Sequence, residues 1–310
     1  MPEQESFKYA DRPFALITGA SSGIGRALVN EFVAHGYNAI LSARSAEKMH
    51  THAADLERRF GITALVIPAD LESPTGAANL YADIKRRHIS LSALVNNAGY
   101  GTFGLFQDMS LESQLAMMQL NMTSLVALTK LFLPDLVATN GKILNIASTA
   151  AFQPGPYMAV YYATKAFVLS FSEALAAELA LPPSGTVQIL RSLWTKAGLS
   201  PTARARDDSR SSGSRLSTLR SRPRVTITAL CPGPTASGFQ DKAAMRHSKM
   251  VRGKRLPTSE EVARKGFRAL QRGKRVYIPG WKNWLLAQLP RLSPRRLVTA
   301  VVIWVTGPAE

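Results

Sequence analysis

Apolar residues in this chain gather into short unbroken runs, and between the runs they recur every three or four positions. FALI at 14–17, NAILSA at 38–43, ALVIPAD at 64–70, LSALVN at 91–96, KILNIAS at 142–148 and RVTITAL at 224–230 are near-continuous apolar stretches of strand length. A strand covered on both faces reads this way, whereas a strand with one wet face alternates. The intervening stretches carry helical spacing. Long helices are predicted around 111–136 and 158–181, and SEEVARKGFRAL at 259–270 predicts another, followed by a strand in RVYIPG at 275–280. Strands alternating with helices predict an α/β fold built on a parallel sheet. With 310 residues, 46% of them hydrophobic, the chain can bury one large core, so a single domain over 1–310 is expected.

The turn after the first run narrows the class. FALI runs into TGASSGIG, which places Gly19, Gly23 and Gly25 where a strand passes into a helix. Gly19 permits a tight turn, Gly23 lets backbone approach a pyrophosphate, and Gly25 lets the helix pack closely, with its first amides facing the phosphates. The spacing is TGxxxGxG rather than GxGxxG. At the end of the second strand, an acidic residue would grip a ribose 2′-hydroxyl. Ala43 and Arg44 stand there instead, and a guanidinium suits a 2′-phosphate, which favours NADP(H) over NAD(H).

Chemistry is carried by NIASTAAFQPGPYMAVYYATK. Tyr161 and Lys165 are four apart and so share one face of a helix, and Ser148 lies 13 residues before the tyrosine. An ammonium beside a phenol lowers its proton affinity, which would bring a group that normally titrates at about 10 toward neutral pH. Tyr162 is a neighbouring candidate, but only Tyr161 is four before the lysine.

TGASSGIG, NNAG at 96–99, Asn121, Ser148, Tyr161, Lys165 and CPGPT at 231–235 occur in this order, and together they resemble the short-chain dehydrogenase/reductase family from about residue 12 to residue 280, apart from one insertion. The resemblance implies a doubly wound parallel sheet (Rossmann fold) and an NADP-dependent oxidoreductase acting on CH–OH or carbonyl groups. Tyr161 would exchange a proton with the substrate oxygen, Ser148 would hydrogen-bond that oxygen, and Lys165 would bind the nicotinamide ribose and depress the tyrosine pKa. Asn121 would hold a water that links Lys165 to solvent. Ser21, Ser22 and Ile24 would join the three glycines at the cofactor, Asp70 would meet its adenine, and Asn97, Ala98 and Gly99 would line the cleft. Pro232, Gly233 and Thr235 would flank the nicotinamide; Ser237 replaces the threonine that usually ends the motif PGxxxT. In this family the two helices corresponding to 111–136 and 158–181 pair subunits, which implies a homodimer or homotetramer. An inactive cofactor-binding scaffold or a membrane-associated interaction protein is the alternative.

Two segments do not fit the pattern. Residues 181–223 carry eight Lys/Arg against Asp207 and Asp208, a net of +6 out of the chain's +17, and their Ser- and Arg-rich composition predicts disorder. They are read either as an unremoved intervening sequence or as a basic docking loop. SGTVQIL at 184–190 imitates the start of RVTITAL, and 225–230 is taken as the strand because it runs directly into CPGPT. Residues 281–306 predict a helical extension that mixes Trp281, Trp284 and Trp304 with Lys282, Arg291, Arg295 and Arg296. That mixture suits a bilayer surface, and it equally suits a helix that covers a pocket or a subunit partner; LVTAVVIWV at 297–305 is too short to span a bilayer.

Charge and composition exclude little else. The positive charge comes without a nucleic-acid-binding module, so nucleic acid is not expected as a partner. Cys231 is the single cysteine, which precludes an intrachain disulfide, and the five histidines show no metal-ligand spacing, so no metal is expected. Residues 1–13 are polar and carry acids, so no secretory leader is expected; the reading is cytoplasmic, with peripheral membrane contact as an addition. YGTFGLF at 100–106, with Phe152, Tyr157 and Met158, predicts a hydrophobic ketone or secondary alcohol as substrate, of lipid, steroid-like or polyketide-like character. The Lys/Arg-rich segment 239–256 reads as a lid that would tolerate an acidic or phosphate-bearing tail.

Overall fold

A computed structural model describes residues 12–180, 225–239 and 256–306. The basic insertion 181–223 and most of the expected lid, 240–255, lie outside the described residues.

β1 (Phe14–Thr18), β2 (Asn38–Ser42), β3 (Ala64–Val66), β4 (Leu91–Asn96), β5 (Lys142–Ile146), β6 (Thr226–Leu230) and β7 (Val276–Tyr277) form one parallel sheet in the order β3-β2-β1-β4-β5-β6-β7. The unbroken apolar runs have a simple cause: every residue of β1 and β2 is buried. Ala15, Ile17, Leu41, Val95 and Leu144 point to one layer, where α1 (Gly23–Ala34) packs with the helix Ser259–Gln271; Phe32 and Phe267 meet there edge to face at 4.9 Å. Phe14, Leu16, Ile40, Leu94 and Ile143 point to the other layer, where α3 (Gly76–Arg86) meets Phe132 through Tyr81 at 5.0 Å. α2 (Ala46–Phe60) covers the outer strands of the first layer. The doubly wound sheet is thus as expected from the sequence.

Three elements depart from the sequence reading. β3 ends at Val66 because Pro68 follows, so Asp70 sits in the loop after the strand and accepts from the Glu72 amide at 3.1 Å. The long helix Leu111–Ala138 is continuous but contains a π turn at Gln119–Thr123, between α4 (Leu111–Met118) and α5 (Ser124–Ala138). It is the one helix among the described residues long and apolar enough to cross a membrane, yet Leu128, Phe132 and Leu136 on its inner face belong to the core. The active-site helix α6 spans Ala159–Glu178.

At the C-terminal side, Ser259–Gln271 is α7, and it starts with the N-cap Thr258, whose Oγ1 accepts from the Glu261 amide at 3.2 Å. After β7 come α8 (Trp281–Leu292) and α9 (Arg295–Thr306).

A buried polar chain ties the middle of the sheet to two helices. Asn96 Nδ2 donates to Asn145 Oδ1 at 2.9 Å and to Thr129 Oγ1 at 3.1 Å, Asn145 Nδ2 donates to Ser172 Oγ at 2.9 Å, and Ser172 Oγ donates to Val168 O at 2.6 Å. The first asparagine of NNAG is therefore structural, while the next three residues turn to the cleft.

Candidate active site

Strand order changes direction between β1 and β4: β2 follows β1 on one side and β4 flanks it on the other. In open parallel sheets, ligands bind beyond the strand C-termini at such a point. The two turns leaving β1 and β4 are clamped together there. Thr18 Oγ1 donates to Val95 O and accepts from the amides of Asn97 and Ala98 at 3.0 Å each, while Asn97 Nδ2 donates to Thr18 O at 2.8 Å. This contact dictates two glycines. Gly19 sits at φ +65°, and a Cβ there would lie 2.7 Å from Asn97 Nδ2. A Cβ on Gly25 would lie 2.2 Å from Gly19 O, so α1 can rest on the turn only if that side chain is absent. Ser22, the N-cap of α1, makes no side-chain capping hydrogen bond, and Gly19, Ser21, Ser22, Gly23, Ile24 and Gly25 all face the cleft.

At the end of β2, Arg44 projects to the cleft rim and pairs with Glu72 Oε1 at 3.0 Å. Lys48, one helical turn on at the start of α2, lines the same rim, so two cations stand there with one carboxylate. Asp70 lines the neighbouring wall. The first amides of α1 and this cationic corner form a donor set that fits a phosphorylated dinucleotide.

Further along, Tyr161 and Lys165 emerge from α6 side by side, and Ser148 follows β5. Lys165 Nζ donates to Ile146 O at 2.7 Å and lies 5.8 Å from the Tyr161 ring centroid. Ser148 Oγ accepts from the Ala150 amide at 3.1 Å and donates to Pro232 O at a long 3.4 Å, a bond easily exchanged because Pro232 O also accepts from the Thr149 amide at 2.9 Å. Both α6 side chains are deeply buried, Tyr161 at 8% exposure and Lys165 at 6%. Burial pushes the Lys165 amine down to about 8 and pushes the Tyr161 phenol above its ordinary value, with the Ser148 side chain pulling the phenol back only in part. The depression expected from the lysine is not found: desolvation raises the phenol, and the group that lowers it is the Ser148 hydroxyl.

Asn121 sits in the π turn, one layer behind the cleft wall. Its Nδ2 donates to Tyr100 O at 2.9 Å and Thr164 Oγ1 at 3.0 Å, and its Oδ1 accepts from the Tyr100 amide at 3.2 Å. A Cβ on Gly99 would lie 2.8 Å from Asn121 Oδ1 and 3.6 Å from Lys165 Nζ, so the three residues converge. π turns frequently mark functional sites, and this one aims the amide at that meeting point.

The cleft holds about 1590 Å³. That exceeds the roughly 300–1,000 Å³ typical of a single small-ligand pocket and leaves room for two molecules side by side. Pro232, Gly233 and Thr235 line it after β6, with Thr235 Oγ1 donating to Gly233 O at 2.9 Å.

A family model for short chain dehydrogenases matches residues 13–188, more than half of the chain, and ends inside the basic segment. The chain belongs to the short-chain dehydrogenase family. The 17-beta-hydroxysteroid dehydrogenase type 3 of Mus musculus is 38% identical over 179 residues, covering 56% of this chain and 57% of its own length. The very-long-chain 3-oxoacyl-CoA reductase of Anas platyrhynchos is 34% identical over 172 residues, covering 53% and 54%. The match with these curated relatives therefore spans little more than half of their length. Among solved structures, a short-chain dehydrogenase from Sphingobium yanoikuyae in complex with NADPH superposes with a TM-score of 0.68 at 26% identity, covering 90% of this chain and 94% of that one.

Within this short-chain dehydrogenase fold, the residues singled out from sequence gather at one cleft, with Asn121 just behind its wall. The substrate-side residues divide. Tyr100 and Met158 line the cleft, but Phe103 and Tyr157 stack on each other at 5.6 Å in the layer behind it, Phe152 packs with Val168 and Leu169, and Leu105 and Phe106 are exposed. Phe239 takes a place they were expected to fill, 5.3 Å from the Tyr161 ring. Sequence reasoning missed Lys48, legible only as a cation four residues after Arg44; Asn283, Leu286, Ala287 and Val302 of α8 and α9 also line the cleft, the pocket-covering alternative weighed for that segment. Cys231 is fully buried, its thiol pushed up to about 12 by burial, in keeping with a packing residue.

Proposed function

We propose that this protein is an oxidoreductase that transfers a hydride between NADP(H) and a hydrophobic ketone or secondary alcohol, with Tyr161 as the acid/base. One observation carries the reading: the Tyr161 phenol, the Ser148 hydroxyl and the Lys165 amine share one wall of the cleft that contains the glycine turn. When bound, NADP(H) supplies the hydride. The glycine turn with Ser21, Ser22 and Ile24 would hold its pyrophosphate, Arg44 and Lys48 its 2′-phosphate, and Asp70 its adenine. Asn97, Ala98 and Gly99 would line the middle of the cleft, and Pro232, Gly233 and Thr235 the nicotinamide end.

A phenol raised by burial stays protonated at neutral pH and serves as a proton donor, which suits carbonyl reduction. Tyr161 would donate its proton to the carbonyl oxygen while Ser148 releases Pro232 O and donates to the same oxygen. The resulting phenolate would be reprotonated by Lys165, whose amine, at about 8, exchanges protons readily near neutral pH. Asn121, fixed by three hydrogen bonds beside Lys165, would hold the route from that amine to solvent.

The apolar lining supports a hydrophobic substrate, since Tyr100, Met158, Tyr162, Phe239 and Leu286 surround the space in front of Tyr161. The relatives named above act, by their names, on hydroxysteroids and very-long-chain 3-oxoacyl-CoA. Pairing of two subunits across α5 and α6 is part of the same proposal, because Phe167 is exposed on α6 and stacks on Phe171 at 6.0 Å.

The test is NADPH oxidation over a panel of hydrophobic ketones, wild type against Tyr161→Phe, with NADPH binding followed by fluorescence. Loss of the acid should cut kcat by about 10²–10⁴-fold and leave binding intact. Turnover unaffected by the substitution refutes the mechanism.

A further inference from the structure

Two faces of the C-terminal helices differ sharply. Ala287, Val298, Val302 and Thr306 are buried, while Trp284, Leu289, Leu292 and Trp304 project into solvent, Leu292 at 87% exposure and Trp304 at 73%. Large apolar side chains so exposed in one contiguous region mark an interaction surface. Charge identifies the kind. Residues 281–306 contain Lys282, Arg291, Arg295 and Arg296 and no acidic residue, and Lys282, Arg295 and Arg296 are exposed among the tryptophans and leucines.

We propose that α8 and α9 dock this protein on the surface of an anionic phospholipid bilayer. The tryptophans and leucines enter the boundary between headgroups and acyl chains, and the basic side chains meet lipid phosphates. Each helix has 12 residues, well short of the roughly 20 needed to span, and Pro294 separates them, so the pair lies on the surface. A second copy of the chain is the poorer occupant. Pairing this face with itself would bring Arg295 and Arg296 of two copies into an interface to which residues 281–306 contribute no carboxylate, whereas an anionic bilayer neutralises them.

The docking face is continuous with the cleft. Trp281, at 72% exposure, together with Leu286 and Val301, belongs to both the exposed surface and the cleft lining. Docking therefore sets the cleft mouth against the bilayer, where an apolar substrate is dissolved. That last consequence rests on the oxidoreductase reading; the docking does not.

The experiment is flotation of the full chain with phosphatidylcholine vesicles, with and without phosphatidylserine. The chain should float only with the anionic vesicles, and less at about 1 M salt, where the Debye length falls to about 3 Å. The triple variant Trp284→Ser, Leu292→Ser, Trp304→Ser retains every charge, including those of 181–223, and should float at least tenfold less. Arg295→Glu with Arg296→Glu should also lose binding. Wild-type flotation by the triple variant overturns the proposal, as does failure of the wild type to bind anionic vesicles. So does a light-scattering mass that halves in the triple variant, which would assign the face to a second copy. NADPH oxidation with a water-soluble carbonyl, measured in parallel, tests the cleft separately: wild-type rates in both variants show that it is intact, and absent activity in the wild type counts against the oxidoreductase reading without touching the docking.

Discussion

Replacing Lys165 by methionine should make the cofactor-free protein more stable while it abolishes turnover. The lysine is almost fully buried, and burial lowers its pKa from 10.5 to about 8. Below about pH 8 the folded and unfolded states both carry the charge, so the whole cost of burying it is present. Between about pH 8 and 10.5 the folded state releases the proton while the unfolded state keeps it, and stability rises with pH. At pH 7 the cost is about 3 kcal/mol, from 1.36 kcal/mol for each pH unit between the two values. Methionine removes that cost but leaves Ile146 O without its 2.7 Å donor, which returns about 1 kcal/mol. The variant should therefore gain about 2 kcal/mol at pH 7, and the gain should all but vanish by about pH 10. Urea unfolding followed by circular dichroism at about pH 7, 8.5 and 10 measures it. A Lys165→Met protein less stable than wild type at pH 7, or a difference that does not change with pH, refutes the argument that a buried charge is kept here at a cost in stability.

Other predictions follow from single contacts. Arg44→Asp should shift cofactor preference toward NADH by about 10–100-fold, the value of one charge-assisted hydrogen bond, and Glu72→Gln should tighten NADPH binding by releasing Arg44 from its 3.0 Å ion pair. Titration with both nucleotides measures these changes; an unchanged preference in the first variant assigns the 2′-phosphate to Lys48. Gly25→Ala puts a methyl 2.2 Å from a backbone oxygen and should cost about 3 kcal/mol or more along with most NADPH affinity; a thermal melt unchanged from wild type would mean that α1 can move off the turn. Asn145→Ala removes one hydrogen bond each from the buried Asn96 and Ser172 side chains, which keep Thr129 Oγ1 and Val168 O as partners, and should cost about 1–3 kcal/mol in urea unfolding, without changing KM for a small ketone.

Element types and the chemistry-bearing residues were legible in the chain because both are local. A strand buried on both faces is an unbroken apolar run, and Tyr161 and Lys165 share a face through helical geometry alone. The glycine turn is likewise one strand, one turn and one helix. Even Arg44 could be placed, because it directly follows a run that ends a strand.

What could not be read there depends on which elements become neighbours. Thr18 meets Asn97 and Ser148 meets Pro232 across 79 and 84 residues, and these contacts exist only because the sheet order sets those strand ends side by side. The same holds for Glu72 opposite Arg44, for the Asn96, Asn145 and Ser172 chain, and for Phe239 in the place expected of Phe103. The direction of the Tyr161 shift is the sharpest case. Sequence spacing places an ammonium four residues away, but the solvent excluded around the phenol is a property of packing, and in this cleft desolvation is the first cause of the shift. Residues 281–306 show the division in one segment: their composition announced tryptophans among basic residues, while the fold determined that one face closes the cleft and the other is left open.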